Sequence, residues 1–111
     1  MHGVLETSAF SRRADALLSP GERGDLISML AANPRAGPLI PGLGGIRKLR
    51  FAPEGRGKSG ALRVVYYVLD DDTPILALLL YAKNEQANPT PDQRKRLLHA
   101  VEAIKAEARG R

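Results

Sequence analysis

Six of the 17 basic residues fall in one stretch, Ile46–Tyr67: Arg47, Lys48, Arg50, Arg56, Lys58 and Arg63, against a single acid, Glu54. The rest of the sequence holds 11 bases and 11 acids, so the whole net charge of +5 resides in this hairpin-sized piece. A concentrated cationic surface is the electrostatic footprint of a polyanion site, most often nucleic acid. The plainer use of such cations is to keep the edges of solvated strands from pairing.

Strand alternation aims these side chains. Ile46, Lys48 and Arg50 alternate with Arg47, Leu49 and Phe51, and in the next apolar run Arg63 shares a face with Val65 and Tyr67. Strict alternation in the third run sets Tyr81 and Lys83 on the face of Ile75, Ala77 and Leu79. An unpaired guanidinium buried among Leu62, Val64 and Val65 would cost several kcal/mol, so Arg63 must meet an acid such as Glu85 or face a wet cleft. If Lys48, Arg50, Arg63, Tyr81 and Lys83 converge, they make a cationic floor with a phenol at its edge. Such a floor suits phosphodiester chemistry: cations stabilise the charge developing on phosphorus, an aromatic ring can stack on a base, and no metal is required. Arg47, Arg56 and Lys58 would add backbone contacts, with Lys58 closing from its glycine-rich loop. Glu85 and a lysine of lowered pKa both stand as candidates for the general base.

Other patterns carry less. Gly42–Gly45 (GLGG) lacks the Gly-x-Gly-x-x-Gly spacing of a phosphate-binding turn. Asp70–Asp72 reads as a hairpin turn, and Tyr66 and Tyr67 as strand packing residues. Cysteine is absent, which removes disulfides and thiolate chemistry. The two histidines, His2 and His99, are too few for a histidine-rich metal site, and none is expected.

The 111 residues suit one domain spanning 1–111, and the 43% hydrophobic content is ordinary for a globular protein. The most apolar segment, Pro74–Ala82, is too short to cross a membrane, and no secretory signal is evident, which fits a cytoplasmic protein. The elements that must position the cations read in the order β–α–α–β–β–β–α. A short first strand lies in Gly3–Thr7, and Ser8 or Ser11 would cap a first helix carrying Phe10, Ala14, Leu17 and Leu18. Ser19-Pro20-Gly21-Glu22 opens a second helix and Asn33-Pro34 ends it. Arg35–Gly45 is an irregular connection, and strands follow at Ile46–Phe51, Ala61–Leu69 and Pro74–Lys83. Thr90-Pro91-Asp92-Gln93 is a second capping box, opening a long helix with Leu97, Leu98, Val101 and Ile104 on one stripe. The expected fold is therefore α/β of the α+β kind, with a twisted, mainly antiparallel sheet, two N-terminal helices and one C-terminal helix.

The segment GLGGIRKLRFAPEGRGKSGALRVVYY, followed by LLLYAKNEQANPTPDQ, resembles the RelE/ParE toxin superfamily. Within it, the likeness is nearest to the HigB-like RelE toxins of type II toxin–antitoxin systems. It rests on the linked motifs GKSG, RVVYY and YAKNE and on the element order. The resemblance implies a RelE-like toxin that works in the ribosomal A site and cleaves mRNA there without metal or cofactor, leaving a 2′,3′-cyclic phosphate. It carries the family's site onto Lys48, Arg50 and Arg63, then onto the Tyr81-Ala82-Lys83-Asn84-Glu85 segment at the last strand's end, and it coincides with the cationic floor at Lys48, Arg50, Arg63 and Lys83. Some RelE members have further arginines and a tyrosine just after that strand, where this chain has Asn84 and Gln86–Asn88. The implied partners are the ribosome, its message and a cognate helix-turn-helix antitoxin, with DNA met only through the antitoxin and no membrane. Two other readings suit the same charge: a ParE-like gyrase poison and a non-catalytic basic RNA-binding module.

Overall fold

The computed structural model describes residues 3–55 and 60–110. Its elements are β1 (Val4–Glu6), α1 (Ser8–Leu17), α2 (Pro20–Ala32), β2 (Arg47–Phe51), β3 (Leu62–Tyr67), β4 (Ile75–Ala82) and α3 (Pro91–Arg109), the order read from the sequence. The four strands form one sheet in the order β1-β4-β3-β2. β2, β3 and β4 make the antiparallel meander, while β1 runs parallel to β4. The fold is thus α+β, with two N-terminal helices and one C-terminal helix on a mixed, mainly antiparallel sheet.

Both longer helices start as their sequences dictate. Ser19 and Thr90 each accept from the third residue beyond, Glu22 and Gln93, whose side chains reach back to the cap backbone, with proline at the first helical position. α1 differs from expectation, because its cap is Thr7 rather than Ser8 or Ser11. The reason is continuity with the sheet. Thr7 N donates to Ala77 O, extending the β1–β4 ladder, while its hydroxyl accepts from Phe10 N at 3.1 Å and donates to Leu78 O at 2.9 Å. Ser11 instead donates to Glu6.

The sheet separates two cores. On one face Phe10, Ala14, Leu26 and Leu30 from α1 and α2 meet Phe51, Val64, Tyr66, Ala77 and Leu80. On the other, Leu97 and Val101 of α3 meet Ile46, Val65, Tyr67, Leu79 and Tyr81. Here the structure corrects strict alternation. The β3–β4 register slips between Val65 and Tyr66: Val65 faces Leu79 but Tyr66 faces Ala77, so Leu78 has no partner across the pair. The extra residue inverts the parity of β4. Tyr81 therefore lies with Leu79 on the α3 face, and Ile75 and Ala77 on the opposite one.

Glu6, at the end of β1, ties the N-terminal half together. Its carboxylate accepts from Arg23 of α2 and Ser11 of α1, and Arg23 also pairs with Asp15. The Arg23 hydrogen bond outweighs the cost of partial burial and holds Glu6 below the usual carboxylate range. A carboxylate with a depressed folded pKa contributes stability above its unfolded pKa, and this is lost as pH falls through the folded value. Glu6→Gln should cost about 1–3 kcal/mol at pH 7, as expected for hydrogen bonds to a charged group. Urea denaturation should show the gap between wild type and variant closing as pH is lowered through the acid range. A gap equally wide in acid would show that Glu6 acts by packing alone.

Candidate active site on the cationic sheet face

The register of the meander aligns three of the expected residues in one row across the sheet. Arg50 of β2 stands opposite Arg63 of β3, and Arg63 stands opposite Tyr81 of β4. Lys48, two residues before Arg50, occupies the same side of β2, opposite Val65. Two arginines as direct cross-strand neighbours repel each other, an arrangement worth avoiding unless an anion is to lie between them. Arg63 is half-buried, and its Nη1 is shielded from solvent with no hydrogen-bond partner among the described residues. A shielded guanidinium nitrogen without an acceptor carries a desolvation cost that a bound anion would offset.

Glu85 is not that acceptor. Its carboxylate takes the Ala82 N–H at 2.9 Å and an ion pair from Arg13 of α1, whose Nε donates to Leu80 O. The acid that follows β4 is thereby drawn to the strand's outer edge. As a general base it would have to leave Arg13 first.

Tyr81 is only 2% exposed, so its ring packs in the core beneath α3 and cannot stack on a base. On that face, which Tyr81 shares with Val65 and Leu79, Leu97 and Val101 of α3 pack against the sheet and cover the ring. The hydroxyl alone is left for chemistry, and it donates to Ala87 O at 3.4 Å. Burial raises the phenol's pKa, partly offset by the nearby Arg63. At neutral pH the group is therefore a proton donor, not a base.

The segment after β4 closes one side of the row. Lys48 Nζ donates to Asn88 Oδ1 at 2.8 Å and to Ala87 O at 3.4 Å. Lys48 and Tyr81 thus share an acceptor, Ala87 O, which spans from the β2 side of the row to β4. In the sequence Asn88 stands out only as a departure from some RelE members; a polar residue in the turn after β4 acquires meaning only when Lys48 is seen to reach it. Lys83 is exposed in the same turn, its backbone N–H bonded to Ala61 O.

Arg47 is held elsewhere. It alternates away from Lys48 and Arg50, opposite Tyr66, and Nη1 donates to Arg35 O and Gly37 O. These bonds fasten the irregular connection to β2, giving Arg47 a structural use rather than a place on the cationic face. Arg56 and Lys58 lie outside the described residues. Gly42–Gly45 forms a turn before β2, with Gly42, Gly44 and Gly45 at positive φ, and the helix cations Arg94 and Lys105 donate to the carbonyls of Pro41 and Gly44. Asp70–Asp72 is the β3–β4 turn, with Asp72 N donating to the Asp70 carboxylate. His99 is exposed on α3.

Among the described residues there is no cluster of histidine, cysteine or carboxylate able to hold a metal, and no helix long and apolar enough to cross a membrane. What the row offers is a cationic cradle with one neutral hydroxyl donor, suited to an oxyanion such as a phosphodiester. No protein-family model matches the chain.

Proposed function

We propose that this protein is a ribosome-dependent mRNA endonuclease, the toxin of a type II toxin–antitoxin system, acting in the cytoplasm without metal. The observation that carries the reading is the Arg50–Arg63–Tyr81 row, with a shielded Arg63 nitrogen that lacks an acceptor among the described residues. Arg63 and Arg50 hold the scissile phosphate, and their charge is worth most when negative charge builds up on phosphorus. The ribose 2′-oxygen bonds to phosphorus, the P–O5′ bond breaks, and the products are a 2′,3′-cyclic phosphate and a 5′-hydroxyl. The 2′-oxygen gives up a proton and O5′ gains one. Tyr81, kept protonated by burial, is the donor nearest in character to the second task. Lys48 orients the backbone once its bonds to Ala87 and Asn88 give way to phosphate. Lys83 adds a cation at the exposed end of β4, and Lys58 belongs to the glycine-rich segment between β2 and β3. A cognate helix-turn-helix antitoxin restrains the activity, its association steered by the net charge of +5.

The direct test is translation of a defined message in a cell extract, with its new ends mapped. Cleavage confined to translated RNA, persisting in a chelator and leaving cyclic phosphate ends, is the expected result. Intact message with arrested replication would favour a gyrase poison instead, and tight RNA binding without cleavage a non-catalytic module. Tyr81→Phe, which keeps the buried ring, should fold normally and lower cleavage by roughly 10²–10⁴, the usual contribution of a proton donor. Wild-type rates in Tyr81→Phe would remove the hydroxyl from the mechanism.

A further inference from the structure

A second feature, independent of the RNA reading, lies on the far edge of β4. β1 pairs only with Ile75–Ala77, so the outer edge beyond it is covered by α1 rather than by a strand. Between α1 and α3 an open cleft of about 330 Å³ remains, a size at the lower end for small-ligand sites. Leu78, Leu79 and Leu97 supply apolar lining, and the β4 bulge is what turns both Leu78 and Leu79 toward the α3 side. Around them stand Arg12, Arg13 and Arg96, and the lining contains no carboxylate.

Arg13 is engaged by Glu85, but Arg12 and Arg96 are exposed and have no hydrogen bond or ion pair among the described residues. Apolar lining flanked by uncommitted guanidiniums calls for a ligand with an apolar body and an anionic head. Strand addition is poorly served, because the carbonyls of Ala77, Leu78 and Leu80 already accept from Thr7 N, Thr7 Oγ1 and Arg13 Nε at 3.0, 2.9 and 3.3 Å. A compact molecule fits better than an added peptide strand.

We propose that the α1–α3 cleft binds a small organic anion with an apolar chain or ring, its carboxylate held by Arg12 and Arg96 and its body on Leu78, Leu79 and Leu97. Calorimetric titration with decanoate, below its micelle-forming concentration, should show saturable one-to-one binding. Decanol, which lacks the charge, and inorganic phosphate, which lacks the body, should each bind far more weakly. The double variant Arg12→Ala/Arg96→Ala should weaken decanoate by about tenfold or more. Ala100→Trp should block the cleft, whereas Lys48→Ala, on the cationic sheet face, should bind decanoate like wild type.

Thermal unfolding of each variant checks the fold; should Ala100→Trp unfold, the double arginine variant decides, since both side chains are exposed. Unchanged affinity in the double variant, phosphate binding as tightly as decanoate, or no saturable binding would overturn the proposal. So would a cleft that ignores decanoate but captures an acidic peptide. Loss of RNA cleavage activity bears on the sheet face alone and leaves this test unaffected.

Discussion

Arg63→Ala is expected to abolish cleavage of translated message, by at least the roughly 10²–10³ that follows loss of one preorganised donor to a developing oxyanion. The same substitution should leave the fold intact and its stability equal to or slightly above wild type. The guanidinium faces Arg50 directly across the ladder and has a shielded nitrogen with no acceptor among the described residues, so its removal relieves repulsion and a desolvation cost. A residue placed for packing would behave in the opposite way, losing stability along with activity. Arg63→Lys should also be poor, because a compact ammonium cannot replace a planar fork of donors. Arg109→Ala, at the end of α3, should match wild type in both measurements. End mapping of translated message together with urea denaturation gives both readouts. Wild-type cleavage in Arg63→Ala would remove the row from the mechanism, and a large loss of stability would make Arg63 a structural residue.

Gly37→Ala should destabilise the protein by about 1–3 kcal/mol, the usual penalty for forcing an extra carbon into a packed site. A Cβ at this buried glycine would lie 2.9 Å from Lys48 O and 2.9 Å from Tyr66 Oη. The contact with Lys48 involves backbone, so either the connection or β2 has to shift. Tyr66 is fully buried, and its hydroxyl accepts from Gly37 N at 2.9 Å, so Tyr66→Phe strands that N–H at a cost of about 1–3 kcal/mol. The two changes act at one contact and should not add. In the double variant the clash with the hydroxyl is gone while the clash with Lys48 O remains, so its loss should be smaller than the sum of the single losses. Equilibrium urea unfolding of the three variants measures this. Strict additivity would mean that Gly37 and Tyr66 stabilise the protein separately. Because Lys48 also reaches Asn88, cleavage should fall in Gly37→Ala even where the variant remains folded.

The local signals in the chain were sufficient for the elements and their order. Ser19 with Glu22 and Thr90 with Gln93 specify two helix starts through side chains only three residues apart. The alternation of Lys48, Leu49, Arg50 and Phe51 specifies which side of β2 is cationic. Such features are legible because the interacting groups are close in sequence and follow a fixed backbone period. The choice of Thr7 over Ser8 or Ser11 was not, since it depends on carbonyls of Ala77 and Leu78 some seventy residues away. Nor was the fate of Tyr81. The extra residue at Leu78 leaves no mark in a run of leucines, yet it inverts the strand's parity and separates Tyr81 from Ile75 and Ala77, and α3 then buries the ring. Glu85 and Arg63 looked like partners by charge, but α1 lies on the outer edge of β4 and brings Arg13 to Glu85 first. Composition and period determined which cations exist and on which strand face they begin. Which acids remain free to meet them, and which hydroxyl stays buried and protonated, was decided by the packing of distant segments, where one bulge or one neighbouring helix outweighs any local preference.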